Sequence, residues 1–409
     1  MILSFENALA AVREKTTAFK PAPSIESAPL DRALGRILAE AAMADRDYPS
    51  FHRSIRDGFA VRSADITAAP VELEVRGEVR AGSSFSGEVG PGECVSIMTG
   101  APLPSGADAV VMVEHTEAGG SGVRILRSVV AFEHIVKRGS EARAGDPVLA
   151  VGRRMGSGEI GLLASIGLME VRVFRQPVVA VLSTGDEIVS ISQKPEWFQI
   201  RNSNSVMLAA EVASAGGKPR VLDVARDDRE ELRRQILQGL EADLLLTSGG
   251  VSAGKHDLVE GVLKELGAEF FFDGVELRPG RPLVFGAVRG KLFFGLPGNP
   301  VSSYVTCSLF ARPAIGVLGG GEFSEPLFLR ARLAHPVKHK PQLTAFMPAR
   351  VFRSPDSAGS DPVIELVGWQ GSGDLVGVAA ANCFLVLHPG QTAVAAGDWV
   401  DVMFKELDY

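Results

Sequence analysis

Cysteine is scarce in this sequence of 409 residues, which has three cysteines, Cys94, Cys307 and Cys383. Because the number is odd and the positions are far apart, they build neither a disulfide framework nor a cysteine-based zinc site. We interpret them as small buried apolar side chains in a protein of a reducing compartment. The seven histidines include no HExxH motif and no close cluster, so a histidine-based zinc signature is missing too.

The sequence also lacks an excess of positive charge and a long apolar run. Its 42 Lys and Arg against 49 Asp and Glu give a net charge of −7, unlike a general nucleic-acid binder. Leu375–Leu387 is the most apolar stretch and is shorter than the ~20 residues of a membrane span. Glu6 interrupts any signal-peptide core, and the spacing of Phe5, Leu9 and Val12 predicts an amphipathic helix. We therefore expect a cytoplasmic protein without nucleic-acid or membrane partners.

Glycine is abundant, with 45 residues, and the 46% hydrophobic content is too high for a disordered chain. The pattern is helical up to about residue 45 and then changes to short strand-like runs separated by Gly and Pro. Helical periodicity returns at residues 156–168, where Ser157 suits the N-cap position. This order predicts a discontinuous first domain (1–45 and 140–176) with a β domain (46–139) inserted in it.

Strands and helices alternate between residues 177 and 315, which predicts βαβ units and a mostly parallel sheet covered on both faces. The predicted strands are Val178–Leu182, Arg220–Val224 and Leu244–Thr247, and the predicted helices are Ser205–Ala215, Asp228–Leu240 and Asp257–Leu266. We assign residues 177–325 to this α/β domain. After about residue 325 the pattern is that of alternating strands, so residues 326–409 form a β barrel or sandwich.

Ligands bind such sheets beyond the carboxyl ends of the strands, and three loops lie there. Residues 183–187 (STGDE) suit a phosphate and a divalent cation, although an ordinary turn explains them equally well. The paired glycines Gly249 and Gly250 allow backbone N–H groups to approach an anion closely. Asp257, further along that loop, is either a metal ligand or the cap of the next helix, and the cap needs less support.

The third loop joins RPGRP (278–282) to GLPGNPVSS (295–303), and its dense prolines and glycines predict a stiff segment. Asn299-Pro300 suits the start of a helix. Arg278 and Arg281 offer forked donors to an oxyanion, or are simply solvated. Asp227 fits a capping box with Glu230, so local structure explains it without catalysis.

These segments, taken in order, resemble the molybdopterin molybdenumtransferase family, the MoeA type that also forms the E domain of gephyrin. The resemblance covers almost the whole chain, and seven motifs in fixed order make it specific. The motifs are DGFAVRSAD (57–65), MTGAPLPSGADAVV (98–111), STGDEIV (183–189), RNSNS (201–205), TSGGVSAGKHD (247–257), RPGRP (278–282) and GLPGNPVSS (295–303).

The resemblance implies an α/β plus β multidomain fold: a discontinuous first α/β domain, an inserted β domain, a three-layer α/β molybdopterin-binding domain and a C-terminal β barrel. It implies a homodimer whose site lies between the α/β domain of one subunit and the β insertion of its partner. It also implies insertion of molybdate into adenylylated molybdopterin with release of AMP, dependent on Mg²⁺. An adenylylating enzyme or a recipient molybdoenzyme is then a possible partner.

The resemblance also implies site residues. The expected catalytic residues are Asp57, Thr99, Glu187, Asp227 and Asp257, and the expected metal ligands are Glu187, Asp227 and Asp257. The expected cofactor-binding residues are Thr184, Gly185, Asp186, Ser248, Gly249, Gly250, Ser252, Arg278, Arg281, Pro297, Pro300 and Ser302.

The sequence departs from the family pattern in three places. His52-Arg53-Ser54-Ile55-Arg56 replaces a usual Asp-Asn-Ser-Ala-Met run, and Lys255 replaces an acid. Arg278 and Arg281 stand where lysines are usual, which keeps the charge and changes its geometry. The first two departures motivate an alternative hypothesis, a non-catalytic scaffold or carrier of molybdopterin or of the finished cofactor. Another enzyme on the same α/β module is disfavoured by GLPGNP, RPGRP and the β insertion.

Overall fold

The computed structural model describes residues 1–20, 24–120, 122–250, 258–338, 342–353 and 361–405. The chain divides into two compact units, a larger one of Met1–Ser27, Gly35–Ala39 and Arg172–Tyr409 and a smaller one of Ala28–Leu34 and Glu40–Val171. Both units are therefore discontinuous in sequence. The sequence predicts four domains, a finer division than these two units, and the boundaries of those domains stay a prediction.

A six-stranded sheet is the centre of the larger unit. Its strands are β1 (Val178–Ser183), β2 (Lys218–Val221), β3 (Leu244–Ser248), β4 (Glu269–Phe272), β5 (Val284–Val288) and β6 (Lys291–Leu296). The order across the sheet is β2-β1-β3-β6-β5-β4. The first three pairings are parallel and the last two are antiparallel, so the predicted mostly parallel sheet is confirmed.

Helices cover both faces of this sheet because its strands are apolar on both sides. Val179 and Val181 of β1 pack into one buried cluster, and Ala180 and Leu182 pack into another on the opposite face. The first face is covered by the helix Ser203–Ser214 and by the helical run that includes Pro300–Thr306 and Arg312–Leu318. The second face is covered by the helices Arg229–Gly239 and Leu258–Glu265.

The N-terminal helix is confirmed as amphipathic and covers part of the first face. It spans Phe5–Ala18, and its Phe5 and Val12 belong to the same buried cluster as β1. The prediction of helical structure up to residue 45 is wrong, because a strand, Ile25–Pro29, follows the helix. A single 3-10 turn, Leu30–Arg32, follows the strand, and Gly35 with φ +74° comes after it, so the α-helix does not resume there.

The C-terminal part of the larger unit is a closed five-stranded barrel. Around the barrel the strands are Thr344–Phe352, Val363–Leu366, Leu329–Leu333, Trp399–Phe404 and Cys383–Leu387, and the last pairs with the first. The short strand Leu277–Arg278 pairs in parallel with Thr344–Ala345 at the barrel edge. The first half of the RPGRP loop is thereby hydrogen-bonded to the barrel. A short helix, Leu375–Ala380, precedes the strand Cys383–Leu387, so this apolar stretch is not one element.

The smaller unit is built on a second six-stranded sheet, as the turn-rich β pattern predicts. In order across the sheet, its strands are Ala109–Met112, Gly58–Val61, Glu93–Ile97, Val71–Val79, Gly122–Ile125 and Thr116–Gly119. Its helix, Ser157–Ser165, starts after Gly156 and not after the predicted cap Ser157. The Glu159 carboxylate accepts the Gly156 N–H and thereby satisfies the helix start.

The remaining strands are short, and they are Ile2–Leu3, Ala42–Met43, Arg53–Ser54, Ile135–Val136, Pro147–Leu149, Glu170–Phe174, Ile188–Val189, Ile200–Arg201, Gly274–Val275, Val337–Lys338 and Ala393–Val394. All three cysteines are free and buried, which confirms their interpretation as packing residues. Burial raises the pKa of the Cys94 and Cys383 thiols to about 12. Pro300–Leu318 is long and apolar enough to cross a membrane, but it is 83% buried in the protein, as a core helix is.

Candidate functional site

The segment after β1 is held at the edge of the larger unit's sheet by both neighbouring strand ends. The N–H of Thr184 donates to the Ser248 carbonyl oxygen at 3.1 Å, and the N–H of Gly185 donates to the Ala225 carbonyl oxygen at 3.1 Å. Thr184 and Gly185 are buried, and the exposed part of the segment begins at Asp186. The polar turns that follow β1, β2 and β3 therefore meet at one edge of the sheet, where ligands of such folds bind.

Acidic side chains are concentrated in two of these turns. The N–H of Asp227 donates to Asp186 Oδ1 at 3.2 Å. Partial burial, together with the nearby charges of Asp186 and Glu187, raises the pKa of Asp227 above its ordinary value. The charges of Asp186 and Glu187 thus disfavour ionisation of Asp227, and a bound cation would relieve this repulsion.

The helix cap next to this acidic group is Asp228 and not Asp227. Asp228 has extended backbone angles and accepts the N–H of Glu231 at 2.9 Å, so the predicted capping box of Asp227 and Glu230 is wrong by one residue. Capping therefore does not explain Asp227, whose side chain lies on the loop beside Asp186.

Carboxylate oxygens are the ligands that Mg²⁺ prefers, so the donor chemistry of this edge fits such an ion. Within the described ranges, no three His, Cys, Asp or Glu side chains lie close enough together to hold a metal. Ser252, Lys255 and Asp257 lie outside the described residues. The predicted ligand set of Glu187, Asp227 and Asp257 therefore stays a prediction.

Gly249 and Gly250 provide the close backbone approach that the sequence predicts. They have φ values of +95° and +65°, which side-chain-bearing residues rarely adopt. A Cβ on Gly249 would lie 2.7 Å from the Thr184 carbonyl oxygen, and one on Gly250 would lie 2.5 Å from a methyl group of Val259. Only glycine fits either position, so the turn after β3 lies directly against the turn after β1.

The RPGRP turn lies against the helix that starts at the GLPGNP loop. A Cβ on Gly280 would lie 2.5 Å from the Thr306 methyl group and 3.8 Å from the Ser302 carbonyl oxygen. Arg278 and Arg281 are exposed, and no carboxylate within the described part of the chain pairs with either guanidinium. Both cations therefore stay available to an anion near this turn.

The helix Pro300–Thr306 begins as predicted, with Asn299 in the N-cap position and Pro300 as its first residue. Ser302 is buried at 4% exposure. The Pro297 carbonyl oxygen accepts a hydrogen bond from Ser303 Oγ. The described residues thus bring the predicted positions from 184 to 187, 227, 248 to 250, 278 to 281 and 297 to 302 into neighbouring loops of one unit.

Two polar residues in this region were not assigned to the site from the sequence. Asn204 Nδ2 donates to Ser248 Oγ at 2.8 Å and to the Gly298 carbonyl oxygen at 2.7 Å, and Ser303 Oγ lies 3.3 Å from Ser248 Oγ. The available signals were the RNSNS motif, which places several small polar residues at a helix start, and the end of the GLPGNPVSS motif, which contains Ser303. Asn202 takes the capping role there, accepting the Ser205 N–H.

In the smaller unit, the structure brings together Asp57 and Thr99, two of the expected site residues. Asp57 Oδ1 accepts the N–H of Thr99 at 2.7 Å and its hydroxyl at 2.9 Å. These two bonds lower the pKa of the exposed Asp57 carboxyl below its ordinary value. The strand that follows places Gly58 against Met112, so Asp57 lies at the start of a central strand.

Replacing Thr99 with valine is expected to raise the pKa of Asp57 towards its ordinary value. Valine keeps the backbone N–H bond and loses the hydroxyl, so part of the shift remains. A lowered carboxyl pKa stabilises the folded chain above the ordinary pKa, and this stabilisation is lost as the pH falls. The variant has less of it to lose, so its stability depends less on acid at this site. Carbon NMR titration of the Asp57 carboxyl measures the change, and an unchanged pKa contradicts the assignment.

The divergent run of residues 52–56 has partners within its own unit. His52 Nδ1 accepts the N–H of Arg138 at 3.0 Å, and Arg53 forms an ion pair with Glu141 at 2.9 Å. Arg56 is exposed. His52 and Arg53 are therefore explained by local contacts, and Arg56 is the remaining cation of this run next to Asp57.

Three family models match the chain in order. Residues 3–167 match "MoeA N-terminal region (domain I and II)", residues 180–316 match "Probable molybdopterin binding domain", and residues 330–405 match "MoeA C-terminal region (domain IV)". A molybdopterin molybdenumtransferase of Staphylococcus epidermidis is 36% identical over 382 residues, covering 92% of this chain and 90% of the relative. This chain belongs to the molybdopterin molybdenumtransferase family.

Other members of the family support the same assignment. The molybdopterin molybdenumtransferase of Staphylococcus aureus strain COL is 36% identical over 93% of this chain and 91% of its own length. Two solved structures of the molybdopterin biosynthesis MoeA protein of Pyrococcus horikoshii cover 99% of this chain and 100% of their own. They have 32% and 26% identity and TM-scores of 0.75 and 0.82. The predicted multidomain fold is thereby confirmed.

Proposed function

We propose that this chain inserts molybdenum from molybdate into adenylylated molybdopterin and releases AMP. The observation that carries the proposal is the meeting of acidic, glycine-rich and arginine-bearing loops at one sheet edge, in a member of this family. Such a reaction cleaves a phosphoanhydride and transfers an oxyanion onto a dithiolene. It needs groups that hold a cation, a phosphate and molybdate together.

The residues divide these tasks by their chemistry. Glu187, Asp227 and Asp257 would hold Mg²⁺, which when bound neutralises charge on the phosphoanhydride oxygens. The turn of Thr184, Gly185 and Asp186 and the backbone of Gly249 and Gly250 orient the phosphates, with Ser252 following in the same loop. A further set would face molybdate: Arg278, Arg281, Ser302 and the backbone around Pro297 and Pro300.

The purified full chain, incubated with adenylylated molybdopterin, molybdate and Mg²⁺, tests the proposal. We expect AMP release that requires both molybdate and the divalent ion. Chromatography of the nucleotide measures it. Tight pterin binding without AMP release would contradict the proposal and favour the scaffold hypothesis. Parallel reactions with Mn²⁺ or with chelator identify the metal.

We further propose a homodimer in which Asp57 and Thr99 of one subunit complete the site of its partner. The exposure of Asp57 supports this, together with the two hydrogen bonds from Thr99 that hold its Oδ1 in place at the surface. An isologous dimer of this kind has two equivalent shared sites.

Mixed dimers test this arrangement. Asp57→Asn and Glu187→Gln chains are each expected to be inactive alone. When the two chains are coexpressed in equal amounts, about half of the dimers are mixed, and each mixed dimer carries one intact site out of two. AMP release should therefore recover to about a quarter of the wild-type rate. Activity that stays at the level of the single variants contradicts a shared site, and separately purified chains mixed without exchange provide the control.

A further inference from the structure

A chain of hydrogen bonds under the site connects three of its loops. Asn204 Nδ2 contacts Ser248 Oγ at 2.8 Å and the Gly298 carbonyl oxygen at 2.7 Å. Ser248 Oγ lies 3.3 Å from Ser303 Oγ, which contacts the Pro297 carbonyl oxygen. We refer to Asn204, Ser248 and Ser303 as the clasp.

The direction of every hydrogen bond in the clasp follows from its two ends. Carbonyl oxygens only accept, so the Asn204 atom beside Gly298 is its amide nitrogen, and Ser303 gives its proton to Pro297. The second amide hydrogen of Asn204 then goes to Ser248 Oγ. The Ser248 proton must go to Ser303, because the Ser303 proton is already used.

The clasp therefore occupies the donors of its three side chains. Ser248 is 2% exposed and Ser303 is fully buried. Ser248 has no proton left to donate to a phosphate, although it stands directly before the Gly249-Gly250 turn. Its position in the sequence favours a ligand-binding role, whereas its hydrogen bonds favour a structural one.

The clasp also determines which way the GLPGNP loop presents its backbone. In a trans peptide the carbonyl and the following N–H point in opposite directions. Because the carbonyls of Pro297 and Gly298 are held by the clasp, the N–H groups of Gly298 and Asn299 point away from it. Both residues are exposed, and neither N–H has an acceptor within the described part of the chain.

We propose that Asn204, Ser248 and Ser303 are positioning residues that turn the N–H groups of Gly298 and Asn299 towards the molybdate oxygens, and that Ser248 contacts no phosphate. Gly298 is close enough to Gly249 that a Cβ on it would lie 3.5 Å from the Gly249 Cα. The clasp thus also fixes the spacing of the two loops. This inference rests on the proposed function and names a determinant of its oxyanion site.

Kinetics of Asn204→Asp, Ser248→Ala and the double variant test the clasp. Aspartate keeps the shape of asparagine, donates no hydrogen bond when ionised and repels the Gly298 carbonyl oxygen. We expect the KM for molybdate to rise about 10- to 100-fold in Asn204→Asp, because small displacements of positioning groups have effects of this size. The double variant is expected to lie within about 2-fold of Asn204→Asp, because both changes open the same chain of bonds.

If the fold-increase in KM of the double variant equals the product of the two single increases, the clasp is contradicted. Ser248 would then act independently of Asn204, as a phosphate ligand does. An unchanged KM for molybdate in Asn204→Asp contradicts positioning. Ser303→Ala provides a second route if Asn204→Asp fails to fold. Ser308→Ala is the matched control, since it removes a serine–Glu211 hydrogen bond on the same helical run and leaves the KM unchanged. Failure of the wild-type chain to release AMP contradicts the proposed function itself. A result on the variants alone contradicts only the clasp.

Discussion

Asp227→Asn is expected to abolish most AMP release while making the folded chain more stable at neutral pH. If Asp227 holds the cation as proposed, asparagine removes a charge from that site, and we expect a fall of about 100-fold or more, equivalent to about 2.7 kcal/mol or more of transition-state stabilisation. The same change removes a carboxylate whose pKa is raised by its partial burial and by repulsion from Asp186 and Glu187.

The pH dependence of this stabilisation has a definite sign. A carboxyl with a raised pKa binds its proton more tightly in the folded chain, so stability falls as pH rises above the ordinary value of 3.8. Asp227→Asn lacks this fall. Its melting temperature should therefore exceed that of the wild type at pH 7 and match it at pH 3, which differential scanning calorimetry measures.

Asp228→Asn is the matched control for this prediction. It is the same chemical change one residue later, and asparagine caps helices as well as aspartate does. We expect activity and melting temperature to stay unchanged. If Asp228→Asn also loses activity, or if Asp227→Asn keeps it, Asp227 is not part of the reacting site.

Gly58→Ala is expected to disrupt the sheet of the smaller unit. A Cβ at this position would lie 1.9 Å from the Val111 carbonyl oxygen, inside the strand pair that holds Gly58 opposite Met112. Backbone atoms of a central strand pair have no room to move apart, so we expect a loss of about 4 kcal/mol or more in the free energy of unfolding. Asp57, the preceding residue, would be displaced, and AMP release would be lost with it.

Urea unfolding and the AMP assay measure these effects. Gly161→Ala is the control in the same unit, because a Cβ there meets no atom within 4 Å and the residue lies in the helix Ser157–Ser165. It should stabilise that helix by up to about 1 kcal/mol. Wild-type-like stability of Gly58→Ala contradicts the close approach.

The architecture of the larger unit was predictable because its periodicity is strong. Continuous apolar β-branched runs alternate with helical patterns, and Gly or Asn marks most of the changes. The cap of the helix Arg229–Gly239 was not predictable to the residue, because Asp227 and Asp228 suit a cap equally well and only the backbone angles of Asp228 decide. That one-residue difference separates a structural aspartate from a candidate catalytic one.

The clasp was beyond sequence reasoning for a different physical reason. Asn204 bonds to residues 44 and 94 positions away, and such contacts depend on how β1, β3 and β6 lie side by side. By contrast, the resemblance placed Asp57 and Thr99 in one site but did not predict their hydrogen bonds, which join positions 42 apart in the sequence. Short-range patterns indicated the loops, and only the sheet order brought their side chains together.

The N-terminal helix has a consequence for synthesis of the chain on the ribosome. Phe5 packs edge-on against Phe310 and Phe346, which are translated more than 300 residues later. Since nascent chains grow at ~5–20 residues per second, the apolar face of this helix waits many seconds for its partners. The larger unit therefore cannot complete this part of its core until most of the chain has been synthesised.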